Sequence, residues 1–536
     1  MAAIRYQNLD RCESYRALHG LSPVDLAATL TPERVRAYAT GYSLGSGETL
    51  RYNYAACPVS EEILGLLADL ASEQQLVDKY RELASGAVMN TGEKRMVLHH
   101  LCRGEPAGPV VRDGIDAGGF YRDQQTRIAE FAAGVHSGAI SSESGAPFGA
   151  VVQVGIGGSD LGPRALHIAL QGHEYAYEGK TRRGPILDTR FISNVDPDDA
   201  ASVLDGLDPS RTLFILVSKS GTTQETLTNE ALALAWLSAG GIASPRKHVA
   251  CVTSSSSPLA KNEEYLASFF IDDYVGGRYS SSSAVGGVVL SLAYGPSTFA
   301  EILSGAHSAD LTALQSDIET NPALLDAMIG LYERDVLGYA ATAVLPYSQA
   351  LLRFPAHLQQ LDMESNGKSV NRDGEPVEYD TGPIVFGEPG TNGQHSFYQL
   401  LHQGSTIVPL QFIGFGSDQY GKDLKAEGST SQTKLNANLA AQIVAFAVGK
   451  DDPNPNRVFA GGRPSSLLFS ERLTPRVLGA ILAHFENKVM YQGFAWNINS
   501  FDQEGVQLGK VLAKKILSGE SSDPLLRAFA SEAGLK

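Results

Sequence analysis

The densest group of hydrogen-bond donors in the sequence lies in LVSKSGTTQET, Leu216 to Thr226. Ser218, Lys219, Ser220, Thr222 and Thr223 crowd around one glycine between two apolar runs. Upstream, the run from Thr212 to Val217 is short, β-prone and almost wholly apolar, which suits a buried parallel strand. Downstream, Leu227 to Leu237 carries Ala and Leu at helical density, placing a helix start near Thr223 or Gln224. A strand–loop–helix turn collects free backbone N–H groups at the positive end of a helix dipole. Such a turn binds anions, phosphate above all. A single hydroxyl there would be an ordinary N-cap, but five side-chain donors exceed that need.

Other residues have types and settings suited to chemistry on a bound anion. In VGGRYSSSSAVGG, Arg278 follows two glycines and precedes four hydroxyls at what reads as a strand-to-helix junction. A lone arginine is ordinarily a solvated surface charge, but beside an anion site this one is placed to stabilise negative charge. QQLDMESNGKS holds Asp362 and Glu364 two residues apart, and on their own they read as a solvated acidic loop. GEPGTNGQHSFYQLLHQG leads His395 into a helix from a glycine turn, free to act as acid or base, whereas His402 reads as a capping or packing residue. Of Lys510, Lys514 and Lys515, the last two read as surface charges, while Lys510 after Gly509 has room to point inward. GIGGSDLGP fails the dinucleotide fingerprint, because its sixth residue is Asp160, yet its turn brings Gly158 and Ser159 N–H groups toward a small polar ligand. NGKS resembles the end of a nucleotide-phosphate loop, but Asp362 stands where the first glycine belongs. No HExxH or Cys/His cluster offers a metal site.

Positioning these residues requires an alternating strand–helix chain. From about Gly149, four successive strand-then-turn units run through AVVQVGIGG, TRFISNVDP, TLFILVSKSG and KHVACVTSS. Alternation of this kind implies a parallel sheet covered on both faces, with ligands at the strands' carboxyl ends. The preceding residues read mainly as helix and loop, with one amphipathic run from Leu67 to Gly86. A second α/β region, with strand-bearing segments YSQALLRF, GSTIVPLQFIGFG and VFAGGRPSSLL, follows a helical stretch near 300–340. The expected division is therefore a helical segment over 1–120, α/β domains over 121–300 and 341–515, a helical connection over 301–340 and a helical tail over 516–536. The 536 residues, 43% hydrophobic and 19% charged, supply material for more than one core. A net charge of −16 without a long Lys/Arg run argues against nucleic acid as partner. Four cysteines without a CxxC pair point to reduced thiols rather than a disulfide framework. No apolar run is long enough to span a bilayer, and the residues from Met1 to Asn8 lack the core of a signal peptide. These features lead us to expect a soluble, cytoplasmic protein.

Together the segments GIGGSDLGP, FISNVDP, SKSGTTQET, GGRYS, MESNGKS, GEPGTNGQHSFYQLLHQG, GGRPSS and NINSFDQEGVQLGK resemble the glucose-6-phosphate isomerase (phosphoglucose isomerase) family, in its order and across roughly residues 90 to 515. Glu504 and Gln507 stand where that family commonly has tryptophan and glutamate, and Gly462 where it usually has asparagine. The resemblance implies two αβα-sandwich sugar-phosphate isomerase (SIS-type) domains with parallel sheets and helical N- and C-terminal extensions. It implies reversible isomerisation of D-glucose 6-phosphate and D-fructose 6-phosphate through a cis-enediolate, in glycolysis and gluconeogenesis, without metal or other cofactor. Glu364 would move the proton between C2 and C1, Arg278 would stabilise the enediolate, and His395 and Lys510 would assist ring opening. Ser218, Lys219, Ser220, Thr222 and Thr223 would hold the phosphate with Gln503, while Gly158, Ser159 and Gln360 contact the sugar. A homodimer is implied, with His395 contributed across the interface. Two other readings remain on the residues alone: an isomerase of broader substrate range, and a non-catalytic sugar-phosphate sensor.

Overall fold

The computed structural model describes residues 4–112 and 114–535. Met1 to Ala3, Asp113 and Lys536, which fall in the expected terminal segments, lie outside the described residues. Near the N-terminus, Ala39–Ser43 (β1) and Thr49–Asn53 (β2) pair as an antiparallel hairpin. The amphipathic run then proves to be two helices, Glu61–Glu73 and Leu76–Ala84. They are separated at Gln75, whose φ of 50° interrupts the helical backbone.

Five strands build the first sheet: Ala150–Val154 (β3), Asp188–Ile192 (β4), Thr212–Val217 (β5), Val249–Thr253 (β6) and Ala267–Phe270 (β7). Their order is β4-β3-β5-β6-β7, and every pairing is parallel. All six residues of β5 are buried. Alternation divides them: Leu213, Ile215 and Val217 join the large central core, while Phe214 and Leu216 enter a separate cluster on the opposite face. Burial on both faces is the physical reason for the continuous apolar run.

The second sheet contains Ala341–Pro346 (β8), Ile384–Phe386 (β9), Leu410–Phe415 (β10) and Ser465–Ser470 (β11), all parallel to their neighbours in this set. Its full order is β1-β2-β11-β10-β8-β9, because β2 pairs antiparallel with β11, Tyr52 opposite Leu468. The N-terminal segment is thus not only helical; its hairpin completes the last sheet. The YSQALLRF segment also differs from expectation. Its strand ends upstream at Pro346, and the residues from Gln349 form short helical turns, with Pro355 at the first turn of the helix Phe354–Gln359.

In the helix Pro475–Ala495 every residue but Arg476 is buried. Thr474 caps it, its hydroxyl accepting from the Val477 N–H at 3.2 Å. The helices Pro296–Thr312 and Pro322–Leu331, which fill the interval expected to be helical, pack along it. A helix buried all round must find partners for its polar side chains. Lys488 lies 3.1 Å from Asp326, which also accepts from His484 at 3.0 Å and from Gln411 at 2.8 Å. Arg103 pairs with Asp310 at 3.1 Å and with Glu486. Close approach of the helices depends on small residues. A Cβ at Gly479 would stand 1.9 Å from the Ile302 carbonyl oxygen, and one at Gly305 the same distance from that of Arg476.

Replacing Gly479 by Ala sets a gain in helix propensity of about 1 kcal/mol against a clash with backbone that has little room to retreat. Overpacking of a tight core costs about 1–3 kcal/mol, so the clash wins. Gly479→Ala should lower the unfolding free energy on the order of 1–2 kcal/mol in urea titrations. Equal or greater stability would mean that the helix pair can separate freely.

Candidate active site

The loop that follows β5 leads into the helix Gln224–Ala239, with Thr223 at its N-cap position. Ser218 is buried; its hydroxyl accepts from the Gly221 N–H at 3.1 Å and donates to Thr223 Oγ1 at 3.2 Å. The Ser220 hydroxyl accepts from the Thr222 N–H at 3.2 Å and from its hydroxyl at 3.1 Å. Gly221 has φ of +66°, and any side chain there would collide with Ser257 Oγ. The loop is a fixed cup of hydroxyls over the N–H groups of a helix start, as an anion site requires. Lys219 departs from the expected grip. Its ammonium donates to the carbonyl oxygens of Asp273 and Val275, each at 2.8 Å, so it ties the cup to the chain entering Gly276-Gly277-Arg278. Burial lowers its pKa.

Arg278 occupies the short turn Gly277–Tyr279 after β7 and is 2% exposed. Four hydrogen bonds to two separate stretches of chain hold its guanidinium. Nε–H donates to Ser365 Oγ at 2.6 Å, one terminal nitrogen to Glu364 Oε1 at 3.1 Å, and the other to the carbonyls of Ser500 at 2.6 Å and Asp502 at 2.9 Å. The glycine loop of the first domain lies directly on this turn: a Cβ at Gly158 would fall 2.1 Å from the Gly277 oxygen. Ser159, half-buried beside it, fixes Gln153 through its carbonyl at 2.7 Å.

Asp362 and Glu364 are not on a solvated loop. The helix Phe354–Gln359 continues into a π-turn, Gln360–Glu364, which places Gln360 and Glu364 side by side. Gln360 donates to Glu364 Oε2 at 2.9 Å while Oε1 faces Arg278, so both carboxylate oxygens are held and the group stays 20% exposed. The neighbouring carboxyl has the opposite environment. Asp362 is buried, and burial pushes it up to about 6 despite Lys488 and a contact from Asn366. One carboxylate is therefore directed at the site and the other into the protein.

Three expected residues stand apart from this cluster. His395 ends the turn Asn392–His395, Gln503 precedes the turn Glu504–Val506, and Lys510 lies in the helix Gln507–Leu517. All three are exposed, and among the described residues none makes a side-chain hydrogen bond or ion pair. No residue of the 507–517 helix is buried, and its Leu508 and Val511 are open to solvent. Lys510 thus does not turn inward within one chain. His402 packs as expected, stacked on Phe446 at 3.7 Å. The residues missed from sequence are those that hold the pair: Tyr279, Ser365, Lys368, Ser500 and Asp502. Among the described residues no group of three or more His, Cys, Asp or Glu could hold a metal, and the four cysteines are buried free thiols. Nor is any described helix long and apolar enough to cross a membrane.

Two α/β domains meet over a held carboxylate and a buried guanidinium, groups of the kind that proton transfer beside a developing oxyanion employs. The chain belongs to the phosphoglucose isomerase family, whose profile matches residues 53–534. It is 56% identical to the glucose-6-phosphate isomerase of Treponema denticola over 532 residues, covering 98% of this chain and 99% of that one. It is 43% identical to that of Borreliella burgdorferi (strain ZS7) over 532 residues, covering 99% of each. The crystal structure of a glucose-6-phosphate isomerase from Chlamydia trachomatis superposes with a TM-score of 0.90 at 41% identity, covering 98% of this chain and 99% of that one.

The Asp362 environment carries a pH signature. Its folded value near 6 lies above the ordinary carboxyl value of about 4, so the folded state holds the extra proton. The stability contributed by that proton is complete below about pH 4 and is lost as pH rises through 6. Asp362→Asn should flatten the fall in unfolding free energy across this window, which Asp362 steepens by up to about 1.4 kcal/mol per pH unit. Urea melts between pH 4 and 7 measure it; an unchanged slope would mean that Asp362 titrates as it does when unfolded.

Proposed function

We propose that Glu364 is the proton-transferring base, and Arg278 the oxyanion-stabilising cation, of the family's reaction, the reversible isomerisation of D-glucose 6-phosphate and D-fructose 6-phosphate. The contact that carries this reading is the 3.1 Å pair between Glu364 Oε1 and an Arg278 nitrogen. Moving a carbonyl between C1 and C2 means removing a weakly acidic C–H and stabilising the oxygen charge that results. The Glu364 carboxylate takes the proton from C2 of the open-chain aldose, and the C–H electrons form the C1–C2 double bond of an enediolate as negative charge builds on the C1 oxygen. The C2 hydroxyl proton passes to that oxygen, and the first proton returns to C1 as the C2 carbonyl of the ketose forms. Arg278 faces the charge that builds on the two oxygens. Because its other nitrogens are bonded to fixed protein oxygens, it needs little reorganisation when that charge appears.

The hydroxyl cup of Ser218, Ser220, Thr222 and Thr223 holds the 6-phosphate, with Lys219 bracing the cup and Gln503 closing it. Gly158, Ser159 and Gln360 meet the sugar. Binding energy gathered at the phosphate orients the distant carbons. The sheet at β3–β7 and the sheet at β8–β11 belong to domains bounded at 121–300 and 341–515. Ring opening falls to His395 and Lys510, and the exposure of both in one chain is consistent with a homodimer in which His395 comes from across the interface. The protein works in the cytoplasm, in glycolysis and gluconeogenesis.

Glu364→Gln keeps size and one oxygen but cannot accept the proton. It should bind sugar phosphate while kcat falls roughly 10²–10⁴-fold in a coupled assay with fructose 6-phosphate, run with chelator present. Exchange of the C2 hydrogen with solvent deuterium should be lost in parallel. Turnover and exchange near parental levels in this variant would remove Glu364 from the role. Binding without turnover by the parent protein would make it a sensor instead.

A further inference from the structure

Lys368 lies four residues beyond Glu364 and has no part in the chemical steps proposed above. Its surroundings are unusual for a lysine, with a side chain only 16% exposed. The helix that carries Glu364 ends here: the Gly367 N–H returns to the Met363 carbonyl at 3.0 Å, but the Lys368 N–H turns away to that of Asn366 at 2.8 Å. In a continued helix the Lys368 N–H would have satisfied the Glu364 carbonyl. The side chain does so instead, its ammonium donating to Glu364 O at 3.1 Å, as a cation at a helix C-terminus favours. The same ammonium donates to the Asp502 carbonyl at 3.2 Å and to Asp502 Oδ1 at 2.8 Å. That carbonyl also receives Arg278, at 2.9 Å.

We propose that Lys368 is a positioning residue for the reaction: it clamps the backbone of the base to the loop that holds the arginine. The proposal rests on Glu364 being the base. Three donor directions of one ammonium fix three oxygens, two of them on the loop that anchors Arg278 and one on Glu364 itself. The distance between base and oxyanion stabiliser is thereby held through backbone oxygens. Asn499 braces the far side of the loop, donating to Asp502 Oδ2 at 2.8 Å. The charged and titratable groups around Glu364 are Arg278 and Tyr279 on the arginine turn, Asp362 and Lys368 on its own segment, and Asp502 on the loop. Beyond these lie His357 on the preceding helix and Lys488 on the 475–495 helix. Arg278 donates to the Glu364 carboxylate and Lys368 to the Glu364 backbone carbonyl, while Lys368 also meets the anion of Asp502.

Lys368→Met removes the charge and the clamp at nearly constant volume. It should lower kcat roughly 10–100-fold, since small misplacements of reacting groups have effects of that size, with KM changed less than about threefold. Lys368→Arg, which keeps a cation able to donate to the same oxygens, should recover part of kcat. Asp502→Asn weakens the loop's hold on the ammonium and should also lower kcat with KM changed less than about threefold; it carries the test should Lys368→Met fail to fold. A kcat for Lys368→Met or for Asp502→Asn within twofold of parent, or a Lys368→Arg no more active than Lys368→Met, would overturn the proposal. Glu364→Gln, run alongside, separates the two readings. If it is inactive while the Lys368 and Asp502 variants behave as the parent, only the positioning role fails; if it turns over, the base assignment fails.

Discussion

A guanidinium charge cannot be taken out of water unless its N–H groups find oxygens, and Arg278 is 2% exposed. The oxygens come from Glu364 and Ser365 of the second domain and from Ser500 and Asp502 beyond the long buried helix. Arg278 itself belongs to the first domain, on a turn pressed against the glycine loop after β3. No one of these stretches could satisfy it alone. The relative placement of both domains and of the 500–502 loop is therefore coupled to one side chain, and the same contacts fix the direction in which its charge points. If Arg278 has the role proposed for it, stability and chemistry share these contacts.

Local pattern revealed the elements whose burial is uniform or whose turns are rich in one residue type. β5 was readable because both its faces are covered, and the helix start at Gln224 because glycine and hydroxyls precede an Ala/Leu run. The family resemblance then brought Arg278 and Glu364 to one site, which neither spacing nor composition could do across a separation in sequence of 86 residues. The π-turn was not legible. A one-residue widening of a helix leaves no mark in the periodicity, so Asp362 and Glu364 looked alike although one is buried and the other is held at the surface by Gln360 and Arg278.

Other features were missed for reasons of chemistry or distance. Lys368 sits in NGKS, and a lysine there suggests phosphate before it suggests a helix end; its four-residue spacing from Glu364 was the available signal. The β1–β2 hairpin had a local signature, ATGYS and TLRYN flanking a Gly-Ser-Gly turn, but nothing in it indicates a partner strand near residue 468. Lys219 was read as an anion ligand with its neighbours, and nothing in the sequence signalled that its ammonium also ties the adjacent loop through the carbonyls of Asp273 and Val275.

That hairpin has a consequence for the order in which the molecule can be completed. β2 is made early in translation, but the strand it pairs with, β11, emerges roughly 400 residues later, about 20–80 s at ordinary elongation rates. Within that interval the first sheet gains all of its strands, whereas the hairpin still presents an unpaired edge of Tyr, Leu and Thr. A ribosome-bound chain therefore carries a finished domain between the two unfinished halves of another, and its N-terminal edge stays open to unintended pairing until nearly the whole protein has been synthesised.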